Sequence, residues 1–498
     1  MTGTGHAVVL GAGFAGLLAA AALADHAERV TLVERDVLPA QPPWPAGPFC
    51  GVPQARHGHL LLQSGATALE RLLPGFTAEL SQAGARRLAM PGDLLALTAA
   101  GWLPRTGEAS HAWSLSRNLL DSLVRTRTLR RPAVTVLART RATGLVGDAR
   151  RVTGVRLRSL DAGTDRTLAA DLVVDATGRG SAAPRWLEEL GLTPPTEERV
   201  DCGLVYATQL VQPPEPLAHD FPSVSVQTGA GHGPGRSGVV FPIEDGRWLV
   251  SLSGTRGAEP GLGQAAFHAF ARALPSRLLA DLLELSEPLD RIHRFGNTAD
   301  RRRRYDRLVR GNGHWPEGFV VVGDAVGHTN PSYGHGLSVA ALGIAAFAAE
   351  LDRRGLCAPG LGRRVQQRLA VAGRAAWTFA VGQDLLYPGV VGASPTTADL
   401  RAARLGERLH RAAFRPEGRR PADDALLADL VRIGTLTASP AALLRTAPRA
   451  LLRRAGAASA TASGAASRAA VRVPAVPAPP LTAHERSALS LARAVAPV

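Results

Sequence analysis

The chain has 498 residues, of which 45% are hydrophobic, so it can bury a large core and has room for roughly two to three domains. Its net charge of +15 comes entirely from arginine, because the sequence contains no lysine. Apart from the run at 301–304, these arginines are spread along the chain without interleaved aromatic residues. This distribution argues against nucleic acid as a partner.

Cysteine usage and the N-terminal segment indicate a cytoplasmic protein. Cys50, Cys202 and Cys357 lie far apart and form no CxxC pair, so neither a disulfide framework nor a zinc site is predicted. The N-terminal apolar run is interrupted by glycines and by Asp25, and it lacks the charged start and cleavage site of a signal peptide. We therefore expect neither secretion nor a membrane-spanning segment.

The N-terminal sequence HAVVLGAGFAGLLAAAALADHAERVTLVERD predicts a buried strand, a glycine turn, an alanine-rich helix and a second strand that ends at Glu34. Gly11 allows the tight turn, Gly13 lets the backbone approach a pyrophosphate, and Gly16 lets the helix lie close to the strand. Glu34 can accept hydrogen bonds from the hydroxyl groups of an adenosine ribose. The segment therefore predicts a dinucleotide-binding unit.

Two later segments favour a flavin over a nicotinamide. LAADLVVDATGRGS predicts a buried strand at 172–175, followed by small residues that can pack against a nucleotide. WPEGFVVVGDAVGHTNPSYGHGLSVAALG predicts a strand at 319–322, the pair Gly323-Asp324, a turn at Pro331 and a helix from about Leu337. The start of this second helix can stabilise negative charge on a reduced flavin. A nicotinamide enzyme needs no such second element.

The order GAGFAG, VERD, ATG and GDA…NPxxGxG resembles the FAD-dependent monooxygenases of the para-hydroxybenzoate hydroxylase type, over about residues 5–350. Within that group, GVPQARHGHLL, DLVVDATGRGS, LVYATQL, FPIEDGRWLVSLSGTRG and NPSYGHGLS are most similar to bacterial polyene epoxidases of polyether biosynthesis, which are relatives of squalene epoxidase. The sequence departs from those epoxidases at Thr329 and Leu337, where they tend to carry Phe and Met. The identity of the alkene therefore stays open.

The resemblance implies a set of FAD-binding residues. Arg56 corresponds to a loop arginine that reaches the cofactor, and Arg117 to one that opens a helix facing the FAD phosphates, although an ordinary surface arginine remains an alternative for Arg117. The predicted FAD contacts are Gly11, Gly13, Phe14, Ala15, Gly16, Glu34, Arg35, Arg56, Arg117, Asp324, Gly334, Gly336 and Leu337. His57 and His59 alternate along an extended segment without a nearby Cys or carboxylate, so no metal site is predicted.

The predicted fold class is α/β, with a Rossmann-type FAD-binding domain interleaved with an antiparallel-sheet substrate domain. The FAD-binding domain comprises 1–85, 115–196 and 291–356, and the substrate domain 86–114 and 197–290. A C-terminal helical region follows at 357–498, with a low-complexity linker near 455–480. Four aromatic residues could line an apolar substrate cavity or simply belong to the core: Tyr206, Phe241, Trp248 and Phe295.

A basic amphipathic stretch at 441–456 could lie on a membrane surface or pack against the protein with its arginines in solvent. Because Pro448 interrupts this stretch, we favour packing against the protein.

The resemblance implies an epoxidase of secondary metabolism that acts on an apolar, polyketide-like polyene. In such enzymes reduced FAD reacts with O2 to give a C4a-hydroperoxide, which transfers one oxygen to an alkene. This chemistry depends on positioning and water exclusion, so we predict no individual catalytic residue. No second GxGxxG unit lies in a strand-turn-helix context, so we expect NAD(P)H to reduce the flavin directly or through a separate flavin reductase.

Four alternatives remain beside this hypothesis. An aromatic hydroxylase of the same fold would place a base beside a phenol-sized cavity, and an alkene reductase of the geranylgeranyl type would use reductant without oxygen. A flavin-dependent halogenase is disfavoured because those enzymes use an active-site lysine, which the sequence lacks. A non-enzymatic binding protein is also disfavoured, since binding alone needs no separate substrate sheet.

Overall fold

The structure is a computed structural model that describes residues 5–38, 53–229, 233–296, 298–309, 314–414, 418–447 and 476–495. The chain forms two compact units. Unit 1 comprises Met1–Ala85, Leu115–Asp201 and Thr298–Val381, and unit 2 comprises Arg86–Ser114, Cys202–Asn297 and Gly382–Val498. Cys50, the stretch 448–456 and most of the predicted linker at 455–480 lie outside the described residues.

These units differ from the predicted domains in two respects. The boundaries between the units lie at 201/202 and 297/298. The boundaries predicted from the sequence lie at 196/197 and 290/291. The predicted C-terminal region is divided, since 357–381 belongs to unit 1 and the chain from 382 onward to unit 2. The physical reason is helix packing, because the helix at 361–372 buries Leu361, Val365 and Leu369 inside unit 1.

Unit 1 is built on a five-stranded parallel sheet with the order Phe319–Val321, Leu172–Asp175, His6–Leu10, Arg29–Val33 and Val134–Leu137. The three central strands are buried over nearly their whole length, as is typical of a parallel sheet covered on both faces. The helices of unit 1 are Phe14–Leu23, Gln63–Leu72, Phe76–Gln82, Arg117–Leu129, Ala183–Glu189, Tyr305–Leu308, Gly336–Arg354 and Leu361–Ala372. This sheet places the glycine turn at the end of its central strand.

Smaller strands complete unit 1. Thr140–Gly147, Val152–Ser159 and Asp165–Ala169 form an antiparallel meander. Glu197–Val200, Asp300–Arg303 and Gly327–His328 form a second antiparallel sheet, and His59–Leu62 is a further strand. Short 3-10 turns occur at Pro53–Arg56, Gly178–Gly180, Gly323–Ala325 and Pro331–Tyr333. The helix Arg374–Asp384 carries the chain out of unit 1.

Unit 2 contains an eight-stranded sheet that is antiparallel except where Leu94–Thr98 pairs with Ser223–Gln227. Its other strands are Gly101–Trp102, Val205–Gln212, Arg236–Pro242, Trp248–Gly254, Glu287–Pro288 and His293–Phe295. Arg86–Pro91 pairs separately with Glu108–Leu115. The helices and 3-10 turns of unit 2 are Glu215–Ala218, Glu244–Gly246, Gln264–Arg272, Leu278–Leu285, Thr397–Ala413, Pro421–Gly434, Pro440–Ala442 and Ala483–Val495.

The last described segment of the chain packs into unit 2. Leu489 of the helix Ala483–Val495 joins the core beneath the sheet. Two nitrogens of Arg105 donate to the carboxylate of Glu485 at 2.6 and 2.7 Å, and Trp102 Nε1 donates to the carbonyl of Pro477 at 2.8 Å. Both side chains of the Arg105–Glu485 pair are mostly buried, so this bidentate contact fastens the segment to the sheet.

Two features of the described residues bear on the functional site. None of their helices has the length and apolar character needed to cross a membrane. Within the same residues, no group of three or more His, Cys, Asp or Glu side chains is arranged to hold a metal ion.

Candidate functional site

The glycine turn after the first strand brings backbone atoms very close together. Gly11 has φ +93°, and a β-carbon there would lie 2.7 Å from the carbonyl oxygen of Ala176. A β-carbon on Gly16 would lie 1.9 Å from the carbonyl oxygen of Gly11, so the helix can sit against the strand only with glycine there. A β-carbon on Gly13 would meet nothing within 4 Å, which leaves the backbone open to a ligand.

The first helix begins at this turn with free backbone donors. Phe14 and Ala15 form its first residues, and Gly13 provides no side-chain cap. Uncapped N–H groups and the helix dipole together favour a bound anion such as a pyrophosphate. Gly323 comes close to the same place, because a β-carbon on it would lie 2.7 Å from the β-carbon of Ala15. The structure thus joins two motifs that are about three hundred residues apart in the sequence.

Glu34 lies at the end of the second strand, half-buried beside the glycine turn. Its Oε2 accepts a hydrogen bond from the Ala12 N–H at 2.6 Å, and its Oε1 accepts one from the Asp36 N–H at 3.0 Å. Each carboxylate oxygen can accept a further hydrogen bond, so Glu34 retains capacity for ribose hydroxyl groups. The neighbouring Arg35 side chain is exposed.

A cationic helix face lies beside the glycine turn. Arg117 begins the helix Arg117–Leu129, its Nε donates to Asp121 Oδ1 at 2.8 Å, and its guanidinium lies 5.8 Å from the centre of the Phe14 ring. Arg125, one further step of four residues along the helix, is 2% exposed and feels the charges of Asp121 and Glu34. Burial lowers the pKa of Arg125. Sequence analysis missed this residue, although the i, i+4, i+8 spacing was a visible signal.

The segment around Arg56 is held by internal hydrogen bonds. Arg56 ends the turn Pro53–Arg56 and is half-buried, while His57 is almost fully buried. His59 Nδ1 donates to the carbonyl of His57 at 2.8 Å. Burial and the nearby charge of Arg117 lower the pKa of His59 to about 3, so its ring is neutral. His59 therefore lies near Arg117, at the predicted phosphate side of the site.

Asp324 belongs to the turn Gly323–Ala325 and is held by an arginine that sequence analysis missed. Its Oδ2 accepts from Arg179 Nε at 3.3 Å. The Gln54 side-chain amide is oriented so that its oxygen accepts a hydrogen bond from Arg179 Nη2 at 2.9 Å. Arg301 donates to the Arg179 carbonyl. Arg179 follows the ATG motif directly, so its position in the sequence was the available signal.

The Asn330-Pro331 turn presents the start of a second helix. The Asn330 side-chain oxygen accepts from the Ser332 N–H at 3.1 Å and from Ser332 Oγ at 2.6 Å. Gly334 has φ +69°, which turns the chain into the helix Gly336–Arg354. That helix has no side-chain cap, and a β-carbon on Gly336 would meet nothing within 4 Å. Leu337, in contrast, is buried.

The four aromatic residues predicted near the substrate have different environments in unit 2. Tyr206 and Phe295 are partners on adjacent strands, with ring centres 5.6 Å apart. Trp248 is 1% exposed and packs in the core with its ring centre 5.9 Å from that of Phe221. Phe241 is half-buried on the strand Arg236–Pro242. The structure thus places Trp248 in the core rather than in a separate aromatic cluster.

We define the aromatic cluster of unit 2 as Cys202, Leu204, Tyr206, Phe295 and Tyr387. A carboxylate that sequence analysis missed adjoins it, since Cys202 Sγ donates to Asp384 Oδ2 at 3.3 Å and both residues are buried. Burial and the nearby negative charge of Asp384 raise the pKa of Tyr387 to about 12. Asp384 lies almost two hundred residues from Cys202, so no local pattern announced the pair.

The residues of unit 1 fit an FAD molecule. The cradle that they form consists of the Gly11–Gly16 turn with its open helix start, Glu34 and the cationic face of Arg117 and Arg125. We call this arrangement the cofactor cradle. Gly323 approaches it, and the helix start at Gly336 is open like the first.

Comparisons with known proteins agree with this fit. Residues 7–185 match the FAD dependent oxidoreductase family. The chain is 36% identical to Protein Rv3254 of Mycobacterium tuberculosis over 354 residues, which is 68% of this chain and 71% of the relative.

Two similar solved structures are a triple mutant of the flavin-dependent brominase Bmp2 and p-nitrophenol 4-monooxygenase PnpA from Pseudomonas putida. The Bmp2 triple mutant has a TM-score of 0.61 at 12% identity, and the match covers 90% of this chain and 100% of that chain. PnpA has a TM-score of 0.58 at 16% identity, and the match covers 87% of this chain and 98% of PnpA. At such low identities these two structures establish a shared fold. The chain therefore belongs to the FAD-dependent oxidoreductases and has the fold of the flavin monooxygenases.

Proposed function

We propose that this FAD-dependent oxidoreductase is an epoxidase, which inserts one oxygen atom from O2 into alkenes of an apolar polyene. The observation that carries the proposal is the aromatic cluster of unit 2, which lies apart from the main core of that unit. The polyketide character of the polyene is supported by the sequence resemblance to polyether epoxidases.

The cofactor cradle would bind and orient FAD through backbone donors and a few charged side chains. The open start of the first helix would hold the pyrophosphate, with Arg117 beside it and Glu34 accepting from the adenosine ribose. Asp324, oriented by Arg179, would accept from the ribitol hydroxyls. The open start of the helix at Gly336 would stabilise negative charge on the reduced ring. Bound FAD, once reduced, supplies the activation of O2 that the protein's side chains lack.

The aromatic cluster has the composition expected of a surface that holds unsaturated carbon. Cys202, Leu204 and Tyr206 alternate along the chain, and all three pack into this cluster, with Tyr206 on the strand Val205–Gln212. Tyr206 and Phe295 present tilted rings to each other, with an interplanar angle of 50°. Electrophilic oxygen transfer to an alkene requires that the alkene be held in position and kept from water, and it requires no base.

The electron donor is also part of the proposal. We expect NAD(P)H alone to reduce the flavin slowly, by transient contact, and an added flavin reductase to restore turnover, because the sequence has no second dinucleotide-binding unit. Rapid reduction by NADPH alone, without substrate, measured by stopped-flow absorbance, would contradict this expectation.

Asp384 favours aromatic hydroxylation as a second candidate function. A buried carboxylate beside aromatic rings could accept the proton of a phenol and so increase its electron density. Epoxidation needs no such group. The substitution Asp384→Asn therefore separates the two candidates, because it should abolish phenol turnover and leave alkene oxidation nearly unchanged.

The reaction can be tested by giving the reduced, FAD-loaded protein labelled O2 and either squalene or phenol. Epoxidation predicts one labelled oxygen per oxidised alkene with no loss of hydrogen, measured by mass spectrometry. Tyr206→Ala should reduce this turnover, and Leu262→Ala, at an exposed residue of unit 2 outside the aromatic cluster, serves as the control. Label in phenol alone would support hydroxylation, and two added hydrogens without label would reveal a reductase. Peroxide release with neither substrate oxidised would refute both proposed substrate classes.

A further inference from the structure

Unit 1 contains a cavity of about 560 Å³ that adjoins the cofactor cradle. One wall is a face of the helix Gly336–Arg354, on which Gly336, Val339, Ala340 and Gly343 follow the i, i+3, i+4, i+7 spacing of a helical stripe. Two glycines and an alanine on this stripe leave space that larger side chains would fill. The size lies within the range of small-molecule binding sites.

The cavity is separate from most of the cofactor cradle. Its walls include neither the Gly11–Gly16 turn nor Glu34. Among the FAD contacts predicted from the sequence, Asp324 and Gly336 border it. The cavity therefore adjoins the predicted flavin end of the site.

Much of the lining is apolar and includes one aromatic ring. Val339, Ala340 and Leu369 contribute aliphatic surface, and Trp377 contributes an indole. The Arg302 guanidinium lies 4.3 Å from the centre of the Trp377 ring, and its Nε donates to Glu198 at 2.6 Å. The ring is thereby held in a fixed orientation, as a surface against which an apolar molecule can pack.

Two buried polar side chains in the lining have spare hydrogen-bonding capacity. Gln366 is 1% exposed, its Nε2 donates to the Val321 carbonyl at 3.0 Å, and no described residue donates to its Oε1. His328 Nδ1 likewise has no hydrogen-bond partner among the described residues. Burial and the charges of Arg179, Arg301 and Arg303 lower the pKa of His328 to about 2, so its ring is neutral. Buried polar atoms of this kind are normally satisfied by a hydrogen-bond partner.

One arginine of the lining is available to an anion. Arg302, Arg303, Arg304 and Arg374 all border the cavity, and the first three are already paired with Glu198, Glu197 and Asp306. The acidic residues in the lining are already engaged, since Asp306 accepts from Arg304 and Asp324 accepts from Arg179. Arg374 is exposed and makes no ion pair with any described residue. A cation of this kind at the cavity would attract an acidic group from solution.

We propose that this cavity is a second small-molecule site, distinct from the cofactor cradle, and that it binds an apolar molecule carrying one anionic group. The walls supply an apolar surface and an indole, Arg374 supplies the counter-charge, and Gln366 accepts from a donor group of the bound molecule. The proposal goes beyond the proposed epoxidation and does not depend on it.

The test uses the full chain loaded with FAD and two probes of nearly the same shape. 8-Anilinonaphthalene-1-sulfonate is an apolar anion with one N–H donor, and N-phenyl-1-naphthylamine is its neutral counterpart. Titration calorimetry should show that the sulfonate binds more tightly. Arg374→Gln should weaken the sulfonate about fivefold, as expected for one exposed charge, and leave the neutral probe unchanged. Arg354→Gln, an exposed arginine outside the cavity, is the matched control.

A filling variant locates the site. Ala340→Trp should abolish binding of the sulfonate, whereas Ala349→Trp on the same helix but outside the cavity should leave it intact. Ala370→Trp fills the cavity from the opposite helix if the first variant does not fold. The flavin absorbance gives the FAD content of every variant.

Three results would overturn the proposal. Equal binding of the sulfonate by the wild type and the filling variants would place the probe elsewhere. Release of FAD by the probe, or loss of FAD from both filling variants, would assign the cavity to the cofactor. Equal affinity for the neutral probe would remove the anionic group from the proposed ligand.

Discussion

The glycine turn of unit 1 and the aromatic cluster of unit 2 are assembled from the chain in different ways. The turn and Glu34 come from 24 consecutive residues, 11–34, and their contacts are fixed by a single strand-helix-strand unit. The cluster combines residues near 202–206, 295 and 387, which meet only when unit 2 has folded. A site built from neighbouring residues can be predicted from their spacing in the sequence. A site built from distant residues can be recognised only once the fold is known.

The largest effect should come from adding a side chain inside the glycine turn. Gly16→Val would force carbon atoms into the Gly11 carbonyl, which lies 1.9 Å from the position of a β-carbon. We expect a loss of at least about 3 kcal/mol in stability and nearly complete loss of FAD. The free energy of unfolding and the flavin absorbance measure both. Gly406→Ala, in a helix of unit 2 with no atom within 4 Å of its β-carbon, is the control and should retain FAD.

Glu34→Ala should weaken FAD binding without unfolding unit 1. The change removes the acceptor of the Ala12 N–H and the predicted acceptor of the ribose, a loss of about 2 kcal/mol or roughly thirtyfold in affinity. FAD titration of the cofactor-free protein measures the effect. Glu28→Ala, an exposed acid just before the same strand, should leave the affinity unchanged. An unchanged affinity in Glu34→Ala would show that the ribose is held elsewhere.

Acid should destabilise unit 1 through His59. Its pKa is lowered to about 3 in the folded protein, whereas the ordinary value is 6.5, so only the unfolded chain takes up a proton between these values. Stability is present above pH 6.5 and falls as the pH falls, by about 2 kcal/mol at pH 5. Urea unfolding at pH 6.5 and at pH 5 should show a smaller loss of unfolding free energy in His59→Gln than in the wild type. The exposed His314→Gln should behave like wild type.

The smallest effect should come from the aromatic cluster. Phe295→Ala removes one ring of the Tyr206 pair and leaves the backbone of an edge strand in place. We expect KM for an apolar alkene to rise about fivefold, in line with the loss of about 1 kcal/mol per aromatic pair, while kcat and FAD content change little. Steady-state kinetics measure the split. A fall in kcat at constant KM would instead give Phe295 a role in the reacting geometry.

Sequence reasoning reached the cofactor cradle because its residues obey local rules. Gly11, Gly16 and Glu34 have fixed spacings, and the structure brings them into contact as those spacings require. Arg125 was missed because arginine is so frequent in this chain that its i, i+4, i+8 spacing with Asp121 and Arg117 did not distinguish it from exposed arginines. Arg179 was missed because its partners Gln54 and Asp324 lie over a hundred residues away in either direction.

The substrate side was harder to predict. A tryptophan in a strand fits either a cavity wall or a core, and only packing against Phe221 assigns Trp248 to the core. Asp384 ends a helix whose sequence gives no hint of a partner at Cys202. The cavity beside the helix Gly336–Arg354 depends on which of its faces packs against the helix Leu361–Ala372. Tertiary packing, rather than local sequence, determines that contact.

The segment that carries Glu485 has a consequence for synthesis. Trp102 and Arg105 are translated 375 and 380 residues before the partners that cover them, Pro477 and Glu485. Until Pro477 and Glu485 have been synthesised, Trp102 and Arg105 lack these partners, and a partly folded unit 2 of this kind is prone to aggregation. Removal of the helix Ala483–Val495 would therefore lower yield through the folding of unit 2 rather than through the cofactor.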